Sequence, residues 1–202
     1  MMGALFEIAR LLINTLGGLF LTAVILRFLL QLARADFYNP ISQALVRITN
    51  PVIKPLRRLI PGFFGIDIAS LALAIVIKLL MIVALFVVQT GSANFNLALV
   101  LLVAVLSVFV TIFNIYFVAM IATIIMSWVA AGSYHPAVVL IHQIAEPVMA
   151  PFRRLLPPMG GIDFSPMIAF LALNVVKIVF TALAVQIGLH PQSFLGLLLL
   201  DI

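Results

Sequence analysis

The chain has 202 residues, 65% of them hydrophobic and 8% charged, with a mean hydropathy of +1.34. Soluble domains carry about 25% charged residues, so this sequence has too few polar side chains to cover a water-facing surface, and lipid is the natural solvent. The net charge of +5 comes without a Lys/Arg run interleaved with aromatics, and there is no cysteine; nucleic-acid binding, disulfides, thiol catalysis and Cys-ligated metals are set aside together.

Residues 11–33 form the first predicted span. Its apolar stretch is long and no small-x-small site follows, so it reads as a retained helix rather than a cleaved signal peptide. A loop over 34–67 precedes a second span over 68–88, and residues 91–96 make a short external connection. The apolar segment 97–131 exceeds one crossing. It reads either as one long tilted helix or as a span preceded by a re-entrant piece near 97–107. A second loop over 132–163 leads to a span over 166–186, and the apolar tail 189–202 is too short to cross and predicts an interfacial helix.

An internal repeat organises these elements. Residues 38–67 align without a gap to 134–163, an offset of 96, and 13 of the 30 positions are identical, including four prolines, two arginines and an aspartate. The units are therefore 1–90 and 97–188. The two loops carry Arg34, Arg47, Lys54, Arg57, Arg58, Arg153 and Arg154, whereas the opposite ends offer Arg10. By the positive-inside rule this predicts four transmembrane helices in two parallel helix–loop–helix repeats, an all-α membrane protein with both loops cytoplasmic and with interfacial amphipathic helices.

Within each loop the shared pattern is [Asn/Glu]-Pro-x3-Pro-x-Arg-Arg-x2-Pro, then Gly-Ile-Asp. Asn50 and Glu146 are placed to cap short helices that begin at Pro51 and Pro147. Pro55 and Pro151 should kink or stop them, and Pro61 and Pro157 should close the segment. Upstream, Ile41, Leu45, Ile48 and Ile53 predict an amphipathic helix, with Val138, Ile141 and Ile144 as its counterpart. Asp67 and Asp163 either cap the following span or pair with the loop arginines. The pairs Arg57-Arg58 and Arg153-Arg154, with Lys54 and Arg47, read either as topology signals and lipid anchors or as a rigid site for an anionic headgroup or acidic partner segment.

Four polar groups fall inside the spans. Lys78 and Lys177 are expected to face the bundle interior, either as functional groups or bonding helix carbonyls or pairing with Asp67 or Asp163, with Asn174 one turn before Lys177; Arg27 is expected to snorkel. His135, His142 and His190 lack ligand spacing, so no metal site is expected. The sequence has no G-x-S-x-G, Walker or H-E-x-x-H motif, and neither an enzyme nor a cofactor is expected.

At Asn50-Pro51…Pro55-x-Arg57-Arg58-x-x-Pro61 and Glu146-Pro147…Pro151-x-Arg153-Arg154-x-x-Pro157, each followed by Gly-Ile-Asp, the chain resembles the YggT family, also called YlmG-like. The resemblance covers most of the chain. It implies a multi-pass protein of the bacterial inner membrane with relatives in plastids, and no catalytic activity. It also implies roles around osmotic stress, cell division and cytochrome assembly, for which a scaffold or assembly factor is the common reading. The alternative is a small channel or transport accessory with Lys78 and Lys177 along its path. The partners expected are anionic lipids and other membrane, division or cytochrome-assembly proteins, without direct nucleic-acid contact.

Overall fold

A computed structural model describes residues 2–62, 65–129, 132–155, 165–186 and Leu189. Among these residues all regular elements are helical: α1 (Met2–Leu12), a π-helical turn (Ile13–Gly17), α2 (Gly18–Leu32), α3 (Pro40–Leu59), α4 (Ile68–Thr90), α5 (Leu97–Val129), α6 (Pro136–Leu155) and α7 (Ser165–Gln186). Four helical stretches are long and apolar enough to cross a membrane: Ala4–Leu32, Ile68–Thr90, Leu97–Ser127 and Ser165–Gln186. The first runs continuously through the π turn. There Gly17 passes so close to Met81 of α4 that an added Cβ would sit 2.8 Å from its sulfur.

The segment 97–129 is one helix of 33 residues, roughly 50 Å at ~1.5 Å per residue, so it must tilt within, or extend beyond, a core of ~30 Å. Its buried hydroxyls are satisfied internally. Ser107, Thr111 and Thr123 each donate to the carbonyl four residues earlier, at 2.7, 2.9 and 2.9 Å, as an apolar surrounding requires. Helix α4 starts under an Asp67 cap and ends at Gly91, whose φ of +68° supplies the left-handed turn a helix C-terminus favours.

Helix α2 packs on α3 and α4, α4 on α5, and α5 on α6 and α7. The main core joins both repeats: Leu21, Val24, Ile25 and Leu29 meet Leu73 and Ala74 of α4, Met120 of α5, Ile144 and Met149 of α6, and Ala169 of α7. A smaller cluster gathers Ile82, Leu85, Val100, Val103 and Ala184 around Leu189. The two loop regions lie at one end of the bundle. The Asn39 amide donates to the Pro136 carbonyl at 2.8 Å, and the Asp36 backbone N–H donates to the Gln143 side chain at 3.1 Å. Such a contact needs both loops at the same end, as in parallel repeats; inverted ones would set the loops at opposite ends.

Three expectations are corrected. The loops are mostly helix, and neither Asn50 nor Glu146 is a cap: α3 begins at Pro40 under Asn39, whose side chain accepts from Ile41 N at 3.0 Å, and α6 begins at Pro136. Pro51 and Pro147 lie inside their helices rather than at their starts, and Pro55 and Pro151 do not stop them. Each of these prolines is exposed, so water can satisfy the carbonyls that they leave without a donor. Pro61 does follow the end of α3. Pro157, Asp163 and the tail beyond Leu189 lie outside the described residues.

Candidate functional site

The loop end of the first repeat is built around two buttresses. Arg27 of α2 is only 4% exposed, so it does not snorkel. Its Nη1 donates to Thr49 Oγ1 at 2.7 Å, to Asn50 Oδ1 at 2.9 Å and to the Val46 carbonyl at 3.4 Å. A charge that would be costly in lipid is thereby spent pinning the middle of α3 onto the span. Asn50, expected as a cap, is one of its receptors.

The second buttress ties the end of α3 to the start of α4. Arg57 forms an ion pair with Asp67 at 2.5 Å and donates to Gln31 of α2 at 2.9 Å. Asp67 also accepts from the Ser70 backbone N–H at 3.3 Å and from its hydroxyl. Both alternatives for Asp67 hold at once: it caps the helix and it pairs with the arginine. Burial pushes its carboxyl up, but the bonds from Arg57 and Ser70 and the Arg57 charge outweigh that and hold it below the usual carboxylate value.

These contacts split the Arg-Arg pair. Adjacent residues on a helix point about 100° apart, so Arg57 turns to Asp67 while Arg58 stays on the outer surface. Arg47, Lys54 and Arg58 are all exposed and lie at i, i+7 and i+11, one stripe along α3. The predicted amphipathic face divides too. Leu45 and Ile53 pack inward, whereas Ile41, Ile48, Val52 and Leu59 form a second exposed stripe, apolar, beside the basic one. Helix α3 therefore has three sectors: core, apolar ridge and basic stripe.

The second repeat does not reproduce this surface. The positions equivalent to Arg47 and Lys54 are Gln143 and Ala150, and Ile144, equivalent to Ile48, is buried. Arg153 pairs with Glu146 across two helical turns at 2.6 Å with both partners exposed, and Arg154 is exposed. Thr123 stands where the first repeat has Arg27.

Of the intramembrane groups, Lys78 is 5% exposed, and Lys177 donates to Asn114 of α5 at 2.8 Å while Asn174 bonds the Phe170 carbonyl. The His135 ring accepts from Ala137 N at 3.3 Å, a helix-capping role. Sequence reasoning did not single out Gln31, Thr49, Ser70 or Asn114. Each is an uncharged polar residue whose importance comes only from the charge that folding brings to it.

Comparison with known proteins returns one family twice along the chain. The CCB3/YggT model matches residues 6–88 and 102–184. An uncharacterised protein of Pseudomonas aeruginosa is 51% identical over 184 residues, covering 89% of this chain and 92% of that protein. The Escherichia coli protein YggT is 42% identical over 166 residues, 82% and 85% respectively. A chloroplastic YlmG homologue of Arabidopsis thaliana is 36% identical over 62 residues, 30% of this chain and 24% of that one. No solved structure matches. With both matched segments falling on the two halves that the internal repeat delineates, the chain belongs to the CCB3/YggT family.

Proposed function

We propose that this is a non-enzymatic scaffold or assembly and stress-tolerance factor of a bacterial inner membrane, and that it works through the α3 surface on the cytoplasmic side. The observation that supports it most is the three-sector helix. An apolar ridge of Ile41, Ile48, Val52 and Leu59 beside a basic stripe of Arg47, Lys54 and Arg58 is the pattern of a helix seated at a headgroup boundary. The middle and the C-terminal end of that helix are fixed to the spans, by Arg27 and by the Arg57–Asp67 pair, so the stripe meets an anionic lipid or an acidic partner segment with little ordering cost. The channel alternative draws less support, because Lys177 is engaged by Asn114 on the α5–α7 seam while Lys78 lines a separate space.

A photoreactive residue at Ile48, in cells whose membranes are then solubilised in mild detergent, tests the reading. A discrete protein adduct, or enrichment of anionic lipid in the adducts, is expected, and it should vanish when Arg47, Lys54 and Arg58 are all replaced by Gln. Indifference of the adducts to that triple replacement would sink the proposal, as would steady solute flux through reconstituted liposomes.

A further inference from the structure

The two segments that match the family model, 6–88 and 102–184, stand at the same offset of 96 as the loop motifs. Each span residue within them therefore has a counterpart 96 positions away. Inside the chain the two repeats meet span to span where α4, the second span of the first, packs on α5, the first span of the second. The α4 face is Leu71, Ile75, Leu79 and Ile82, at i, i+4, i+8 and i+11 along one side of a helix. Ile82 is fully buried and the other three are half-buried. Helix α5 answers with Val108, Ile112 and Ile115, in the same core cluster as Leu71 and Ile75. Its opposite side is taken by α7, where Phe113 and Phe117 meet Phe180 and Phe170.

The counterparts of both faces are open. On α7 the matching residues are Met167, Leu171, Val175 and Ile178, all exposed; Ile178 is 65% exposed where Ile82 is 0%. On the first span they are Leu12, Leu16 and Leu19, which are 50%, 65% and 67% exposed. Leu19 lies about 200° round the helix from Leu21, which is buried in the core, so this side faces away from α4. The π turn shifts Leu12 relative to its counterpart Val108, whereas Leu16 lies in that turn and Leu19 beyond it. All seven positions remain apolar and non-aromatic. Apolarity alone calls for no partner in a bilayer, because acyl chains solvate leucine as well as another helix does, and packing shape decides. Here each open face has a close relative already seated, within the same chain, on the relative of the other.

We propose that copies of this chain join head to tail, the α7 face of one seated on the Leu16 and Leu19 side of the next in the manner of α4 on α5. Parallel repeats make this possible: the operation that carries the first repeat onto the second keeps the loops on one side of the membrane, so repeating it adds a copy with the same insertion. The contact is heterologous, with a different face on each partner, and it lies within the spans, apart from the α3 surface. The α4–α5 hairpin sets its register. Residues equally far from Thr90 and Leu97 are level, so Ile75 lies opposite Ile112, and Leu71 opposite Ile115 to within one residue. Carried over, Leu171 of one copy meets Leu16 of the next, and Met167 meets Leu19.

The chain has no cysteine, and these four positions are exposed, so replacements there report on the contact without touching the core. Leu16→Cys and Leu171→Cys are made in separate, differently tagged chains, co-expressed, and oxidised in the membrane. Adducts joining one chain of each kind should exceed those from either variant alone by about tenfold, since cysteines whose Cα atoms are more than ~7 Å apart do not bridge. Leu19→Cys with Met167→Cys is a second, independent pair and should behave alike. With Leu16→Cys and Leu171→Cys in one chain, covalent oligomers should form. Adducts from Leu171→Cys alone in equal yield would mean that α7 packs on α7. A crosslink confined within the doubly substituted chain would mean that the bundle closes on itself. Absence of mixed adducts from both pairs would leave the faces to lipid. Each of these three results would overturn the proposal.

Discussion

At the scale of single residues, this membrane protein uses its few charges as fasteners. Arg27 is the clearest case. Arg27→Met keeps most of the stem but strips Thr49 and Asn50 of their donor, and should cost about 2–3 kcal/mol. It should also expose α3 to limited proteolysis before the spans unfold; digestion of the reconstituted variant measures this. The Arg57–Asp67 pair predicts a pH dependence. The folded carboxyl titrates below its unfolded value near 3.8, so its contribution is fully present above that value and is lost as pH falls through the lower folded one. The melting-temperature gap between the unaltered protein and Asp67→Asn should therefore be flat at neutral pH and should close only in strong acid. Arg27 also shows what the sequence hides. Seven residues before Arg34 in an apolar run, it looks like an interfacial side chain, and nothing local indicates that Thr49 and Asn50 fold back to meet it.

At the scale of elements, spans were legible because ~20 apolar residues admit few alternatives in lipid. The helix boundaries in the loops were not. Proline reads as a stop in a buried helix, but at an exposed position its cost falls, and the run from Pro40 to Leu59 tolerates two. Pro55→Ala restores one backbone hydrogen bond in α3 and should raise the melting temperature. If the placement of the basic stripe depends on Pro55, the same change should weaken its crosslinking.

At the scale of the whole molecule, the duplication and the parallel orientation could be read from proline register and charge placement, because insertion obeys the basic loops. Tyr38 and Tyr134, the paired loop tyrosines, are 89% and 94% exposed. Single cysteines at these two positions should be labelled from the same side of sealed vesicles by an impermeant reagent; labelling from opposite sides would overturn the parallel arrangement. The divergence between the repeats was far less legible. Identity within the motif draws the eye to Arg57-Arg58 and Arg153-Arg154, whereas the surfaces differ through Gln143, Ala150 and the burial of Ile144, outside the shared arginines.

The contact from Asn39 to Pro136 joins equivalent loop segments of two related units, as an interface between identical subunits would. Two separate copies would be bound by symmetry: every substitution would appear twice, and a stripe fit for headgroups would have to be matched on its mate. Tethering the copies in one polypeptide lifts that requirement. One half is free to present an exposed basic stripe while the other buries Ile144, the counterpart of the exposed Ile48, and the assembly has a front and a back that no symmetric pair of this unit could possess.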